Sequence, residues 1–92
     1  MSEALSRRID AGLEESIGRW SELLRIPSVS TDPAYGEHMG QAADWLVAQL
    51  EALGFTAEVR ATDGHPVVVG HHLGPGEGAP HLLYYGHYDV QP

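Results

Sequence analysis

The segment Leu82-Leu-Tyr-Tyr85 is apolar at both parities, so a strand built from it has no face suited to water. Such a strand needs cover on both faces and neighbours on both edges, and that requirement points to an α/β layered architecture. Helix-forming sequence upstream can provide the cover. Leu5, Ile9, Leu13, Ile17, Trp20 and Leu24 recur at spacings of four and three, which predicts one amphipathic helix over residues 3–25. Glu3 and Arg25 stand at the ends that the helix dipole favours, and Glu15 precedes Arg19 by four residues in the stabilising order. Gly12 and Gly18 weaken the helix by roughly 1 kcal/mol each relative to alanine, so packing has to hold it. Pro27 ends it, because the residue before a proline is pushed out of the helical region.

Residues 26–36 have extended-then-turn composition. A second helix is predicted over 37–53, with Ala42, Trp45, Leu46, Leu50 and Leu53 on one face and Gly54 as the left-handed residue that closes it. Phe55, Ala57, Val59 and Ala61 alternate with Thr56, Glu58, Arg60 and Thr62, the pattern of a strand with one wet face. Asp63-Gly-His-Pro66 is a turn and Val67-Val-Val69 begins a return strand, so a hairpin is expected. Gly74 to Pro80 is a loop. The expected order is two helices, a β-hairpin and one buried strand, an α/β domain opened before completion. The chain stops at Gln91-Pro92, soon after that strand, which reads as the edge of a fragment. At this length only about 60–65% of the extended-chain surface is buried, so the core is marginal.

Charge narrows the function classes. The 92 residues carry 13 acidic and 5 basic side chains, a net charge of −8, and the basic residues are all arginine. Phosphate backbones and anionic lipids repel such a chain, which disfavours nucleic acid and membrane surfaces as partners. The absence of cysteine excludes disulfides, thiolate metal sites and a cysteine nucleophile. No apolar run approaches the length of a membrane span, and the N-terminus lacks the apolar core of a signal peptide. The expectation is a soluble, cytoplasmic protein.

Six histidines invite a metal reading. His38, near a helix start, and His65, in a turn, read as surface residues. His71 and His72 are adjacent on a strand and point to opposite faces, so they cannot share an ion. His81 opens the apolar strand without a partner nearby in sequence. His87 differs, because it follows the apolar run, and sites on α/β sheets gather at the carboxyl ends of strands. Asp89 lies two residues on and shares its face while the chain is extended. A carboxylate there can fix the imidazole tautomer and leave the other ring nitrogen for a metal. Gly86 allows close approach to the backbone. By spacing alone the signal is weak, and His-x-Asp reads more readily as a buried histidine hydrogen-bonded to a nearby carboxylate.

The stretch His81-Leu-Leu-Tyr-Tyr-Gly-His-Tyr-Asp-Val-Gln-Pro92 resembles the first metal-site motif of the zinc-dependent aminoacylase/dipeptidase/desuccinylase metallopeptidase family. Its Val-Gln-Pro ending is similar to the carnosinase / cytosolic non-specific dipeptidase branch. The likeness extends upstream through Arg25-Ile-Pro-Ser-Val-Ser30, Asp32-Pro33, Ala43-Asp-Trp-Leu46 and Leu53-Gly-Phe55, and so covers essentially the whole chain.

That resemblance implies that residues 1–92 are the N-terminal portion of a three-layer α/β/α zinc-exopeptidase catalytic domain. It implies His87 as a ligand of one of two zinc ions, with manganese as an alternative, and Asp89 as the catalytic-site carboxylate that orients His87. The remaining ligands, a general-base glutamate and a dimerisation domain would lie beyond Pro92. The implied activity is metal-assisted hydrolysis of the amide bond of dipeptides by a homodimer, with the 92-residue chain inactive alone. An N-acyl-amino-acid deacylase or desuccinylase would use the same chemistry. The reading from another class is a truncated relic or small interaction module that presents Trp20 and Trp45 to a partner.

Overall fold

The computed structural model describes residues 2–92. Its elements in chain order are helix α1 (Glu3–Ala11), helix α2 (Leu13–Arg25), a 3-10 turn (Pro33–Tyr35), helix α3 (Gly36–Ala52) and strands β1 (Thr56–Arg60) and β2 (Val67–His71). The two strands form an antiparallel hairpin with Thr56 opposite His71 and Arg60 opposite Val67. Turn chemistry closes it: Thr62 Oγ1 accepts from the Gly64 amide at 3.0 Å and donates to the His65 carbonyl at 2.7 Å.

The single helix expected over 3–25 is two helices. Gly12 adopts φ −95°, ψ 5°, and its amide turns to the carbonyls of Arg8 and Asp10, closing α1 before α2 begins. The low helical propensity of glycine places the break there, while Gly18, equally poor in propensity, stays inside α2. Ser2 caps α1 by accepting from the Leu5 amide at 3.1 Å. The residues of the apolar stripe are left about half exposed, from Leu5 at 47% to Trp20 at 62%. One polar contact between α2 and α3 is the Trp45 indole donating to Glu22 at 3.2 Å. The arm lengthens the molecule to 45 × 32 × 19 Å, with a radius of gyration of 15.5 Å. A compact chain of this length has about 12 Å.

Helix α3 organises what core there is. Met39, Ala42 and Ala43 are buried on it, and Ser28 and Val29 are buried from the segment that follows α2. Ala42 was legible as a core position. Leu53, expected on the same face, is exposed because it caps the helix where the chain turns away. Gly54 closes that turn at φ +93°, with its amide on the Glu51 carbonyl and the Phe55 amide on the Leu50 carbonyl. Both are the bonds of a Schellman end. Gly70 of β2 meets the helix there, with Leu50 and Phe55 lying 3.1 and 3.5 Å from where its Cβ would stand.

The expected buried strand is absent. Residues 82–85 carry no strand structure, and Leu82, Leu83, Tyr84 and Tyr85 are 93%, 94%, 86% and 89% exposed. Strand character needs a hydrogen-bonded neighbour, and among the described residues the two strands pair only with each other. His81, expected to open that strand, is also outside any regular element.

Candidate functional site

The site is built where the segment after α2 meets the end of the chain. Pro27 stops α2 and sends residues 28–30 out in irregular backbone. Residues 88–90 run beside them. The Val90 amide donates to the Ser28 carbonyl at 3.0 Å, and the fully buried Ser28 hydroxyl donates to the Tyr88 carbonyl at 3.2 Å. These two bonds tie together stretches 60 residues apart.

His87 and Asp89 come together on that frame. The imidazole Nδ1 lies 2.7 Å from Asp89 Oδ1. An ionised carboxylate can only accept, so Nδ1 carries a proton, and in the neutral imidazole Nε2 keeps its lone pair. The His87 side chain is 80% exposed and that of Asp89 is 35% exposed, so the free nitrogen faces outward from a partly sheltered carboxylate. The second carboxylate oxygen, Oδ2, accepts from the Ser30 hydroxyl at 2.5 Å. The Ser30 bond, then the His87 bond, hold the Asp89 carboxyl below its ordinary pKa. Burial, reinforced by the Asp89 charge, raises the Tyr88 phenol.

The hairpin turn closes in from the other side. Tyr88 donates its hydroxyl to the Pro66 carbonyl at 2.7 Å, and His65 donates Nε2–H to the Ser30 carbonyl at 2.8 Å. His65, read from sequence as a surface turn residue, is exposed yet anchored to this cluster. The other histidines lie elsewhere. His38 bonds Gln41 at 2.7 Å, and His72 packs on the Phe55 ring and accepts from the Gly74 amide. Sequence reasoning did not single out Ser28, Ser30 or Tyr88. The only local signal for the serines is their shared parity in Ile26-Pro-Ser-Val-Ser30.

As a metal donor, His87 fits one position: a neutral imidazole with its outer nitrogen bare and its inner nitrogen held by a carboxylate. A complete centre is another matter. Catalytic zinc sites use about three protein ligands and a water, and among the described residues no group of three or more His, Asp or Glu side chains could hold an ion. The residues present therefore supply one ligand with its orienting partner.

Two fungal proteins are similar to the chain over most of its length. The Cys-Gly metallodipeptidase dug1 of Schizosaccharomyces pombe is 32% identical over 94 residues, covering 91% of this chain and 20% of its own length. The Cys-Gly metallodipeptidase DUG1 of Candida albicans is 34% identical over 89 residues, covering 83% of this chain and 18% of its own length. The chain thus spans about a fifth of the length of the curated relatives it matches. No protein-family model matches it. No solved structure matches it either.

Proposed function

We propose that this chain is the N-terminal segment of the catalytic domain of a metal-dependent peptidase that cleaves dipeptides, with His87 as a metal ligand and Asp89 as its orienting carboxylate. The observation that carries the reading is the 2.7 Å contact between His87 Nδ1 and Asp89 Oδ1, which in a neutral imidazole makes Nε2 the unprotonated nitrogen of an exposed side chain. The names of the two similar proteins, both Cys-Gly metallodipeptidases, favour a dipeptide over an N-acyl amino acid as substrate.

In this reading the chain's own residues bind and orient. His87 offers Nε2 to the ion, Asp89 keeps the proton on Nδ1, and the frame of Ser28, Tyr88 and Val90 fixes where the pair stands. Zinc suits an imidazole and carboxylate donor set, and manganese accepts a similar one. When bound, such a metal supplies a water acidic enough to attack at neutral pH and polarises the scissile carbonyl. One imidazole cannot retain the ion, so the 92 residues by themselves are inactive, and the remaining ligands and base come from further chain. A cytoplasmic homodimer is the matching proposal for the whole protein.

The test is dipeptide hydrolysis by the whole protein that carries this segment, before and after chelation, with His87→Ala alongside. Activity that chelation removes, zinc or manganese restores and His87→Ala abolishes supports the reading. A His87→Ala protein that retains metal-dependent hydrolysis removes His87 from the ligand set.

A further inference from the structure

The carboxylate that orients His87 has a partner of its own. Asp89 Oδ1 holds the imidazole at 2.7 Å, and Oδ2 accepts the Ser30 hydroxyl at 2.5 Å. A carboxylate held at one oxygen only can turn about its last side-chain bond, because terminal sp³–sp² torsions are broad. Held at both oxygens, its plane is fixed, and so is the direction from which it receives the Nδ1 proton.

Ser30 is itself immobilised from two sides. Its carbonyl accepts Nε2–H of His65 at 2.8 Å, which ties it to the hairpin turn. Two residues earlier, Ser28 is bonded to Tyr88 and Val90 on either side of Asp89. The Ser30 hydroxyl is thus presented by a braced backbone and not by a free loop.

From this geometry we infer that Ser30 is a positioning residue: its hydroxyl locks the Asp89 carboxylate in the plane that holds His87 as the Nδ1–H tautomer, leaving Nε2 as the free donor. The inference rests on the reading of His87 as a ligand only for its purpose, since the hydrogen-bond relay exists without any ion. Ser30 acts through Asp89 and touches neither metal nor substrate. The relay also couples the β1–β2 turn to the aim of the imidazole through the His65 contact.

The tautomer can be read directly from ring ¹⁵N shifts of His87 in long-range proton–nitrogen correlations, on the metal-free whole protein that carries this segment, at a fixed pH where imidazole is neutral. In the parent chain Nδ1–H is expected as the major form. Ser30→Ala moves the population toward Nε2–H, the form an isolated imidazole prefers, and Ser30→Thr, which keeps a hydroxyl, restores the parent ratio. Gly54→Ala, which strains the end of α3 outside the relay, leaves the ratio unchanged while lowering thermal stability.

A parental ratio in Ser30→Ala overturns the inference. So does an Nε2–H majority in the parent chain, or failure of Ser30→Thr to rescue. Equal shifts in Gly54→Ala and Ser30→Ala also overturn it, because general loosening then explains both. The readout involves no metal and no turnover, so it is separable from the proposed function. A relay seen in a protein without metal-dependent hydrolysis removes the peptidase reading alone.

Discussion

The hydroxyl of Ser28, wholly removed from solvent, donates to the carbonyl of Tyr88 at 3.2 Å, while the Ser28 carbonyl accepts the Val90 amide at 3.0 Å. One buried serine therefore joins the exit of α2 to the stretch that carries His87 and Asp89. Its replacement by alanine removes the side-chain bond and leaves the Tyr88 carbonyl without that donor. Ser28→Ala should cost about 1 kcal/mol, the usual net worth of such a bond. Urea unfolding measures the total, and faster exchange of the Val90 amide would localise it. An unchanged midpoint with unchanged exchange would show that the two stretches are held by packing.

The turn of the hairpin is fastened to the same stretch by the Tyr88 phenol, which donates to the Pro66 carbonyl at 2.7 Å. Tyr88→Phe keeps the ring and removes the bond, so a loss of about 1 kcal/mol is expected, with increased exchange at Gly64 and His65. A variant as stable as the parent, with the turn amides equally protected, would mean that the phenol contact contributes nothing.

Acid should loosen the site through Asp89. Its carboxyl is held below the ordinary value, first by the Ser30 hydroxyl and then by His87. A carboxyl depressed in the folded state adds stability that is present above its unfolded pKa and lost as pH falls through the folded one. That stability should therefore be full at neutral pH and begin to fade below about pH 4. Ser30→Ala should flatten this part of the stability–pH curve, and Asp89→Asn should abolish it. A Ser30→Ala curve parallel to that of the parent would dissociate the depression from the hydroxyl.

Helix α3 and its end were legible in the sequence because their signals are local: an apolar period of 3.6 residues, closed by Gly54 at φ +93°. The hairpin was legible for the same reason, from alternation on each side of Asp63–Pro66. His87 and Asp89 share a face by spacing of two, so their pairing could be read without knowing the fold. Ser30 could not be found that way. It reaches Asp89 across 59 residues, and nothing in Ile-Pro-Ser-Val-Ser announces a partner so far along the chain. Two expectations that failed also turn on context. Periodicity carried the first helix through Gly12 because apolar spacing ignores a local break in backbone bonding. The apolar run Leu82–Tyr85 was assigned a strand for its side chains, yet a strand exists only with a neighbour to bond.

Gly54 offers a sharper test of the helix end. Its left-handed backbone costs a β-carbon strain, whereas the nearest foreign atoms, on the His72 ring, would lie at an ordinary 3.7 Å. Gly54→Ala should thus lose roughly 1 kcal/mol through backbone conformation alone. Gly54→Asn should lose less, since asparagine tolerates this region better. Thermal melts of the two variants suffice. Equal losses would point to crowding against His72 instead of backbone strain.

The exposed run Leu82–Tyr85 should make the 92-residue chain associate with itself. From Gly78 to Tyr88 there is no acidic or arginine side chain, so the apolar residues lie in a stretch uncharged at neutral pH. Extended, apolar and unpaired backbone is a template for intermolecular strand pairing. The net charge of −8 opposes that contact by repulsion between whole molecules. Salt screens repulsion over distances beyond about 10 Å at 0.1 M but leaves apolar contact intact. Raising ionic strength should therefore strengthen association, the reverse of what a salt-bridged interface would show. Leu83→Glu places a charge in the middle of the run and should restore the monomer. Sedimentation velocity across a concentration series, at low and high salt, reads both effects. A parent chain that stays monomeric throughout, or a Leu83→Glu chain that associates as strongly, would remove this segment as the contact.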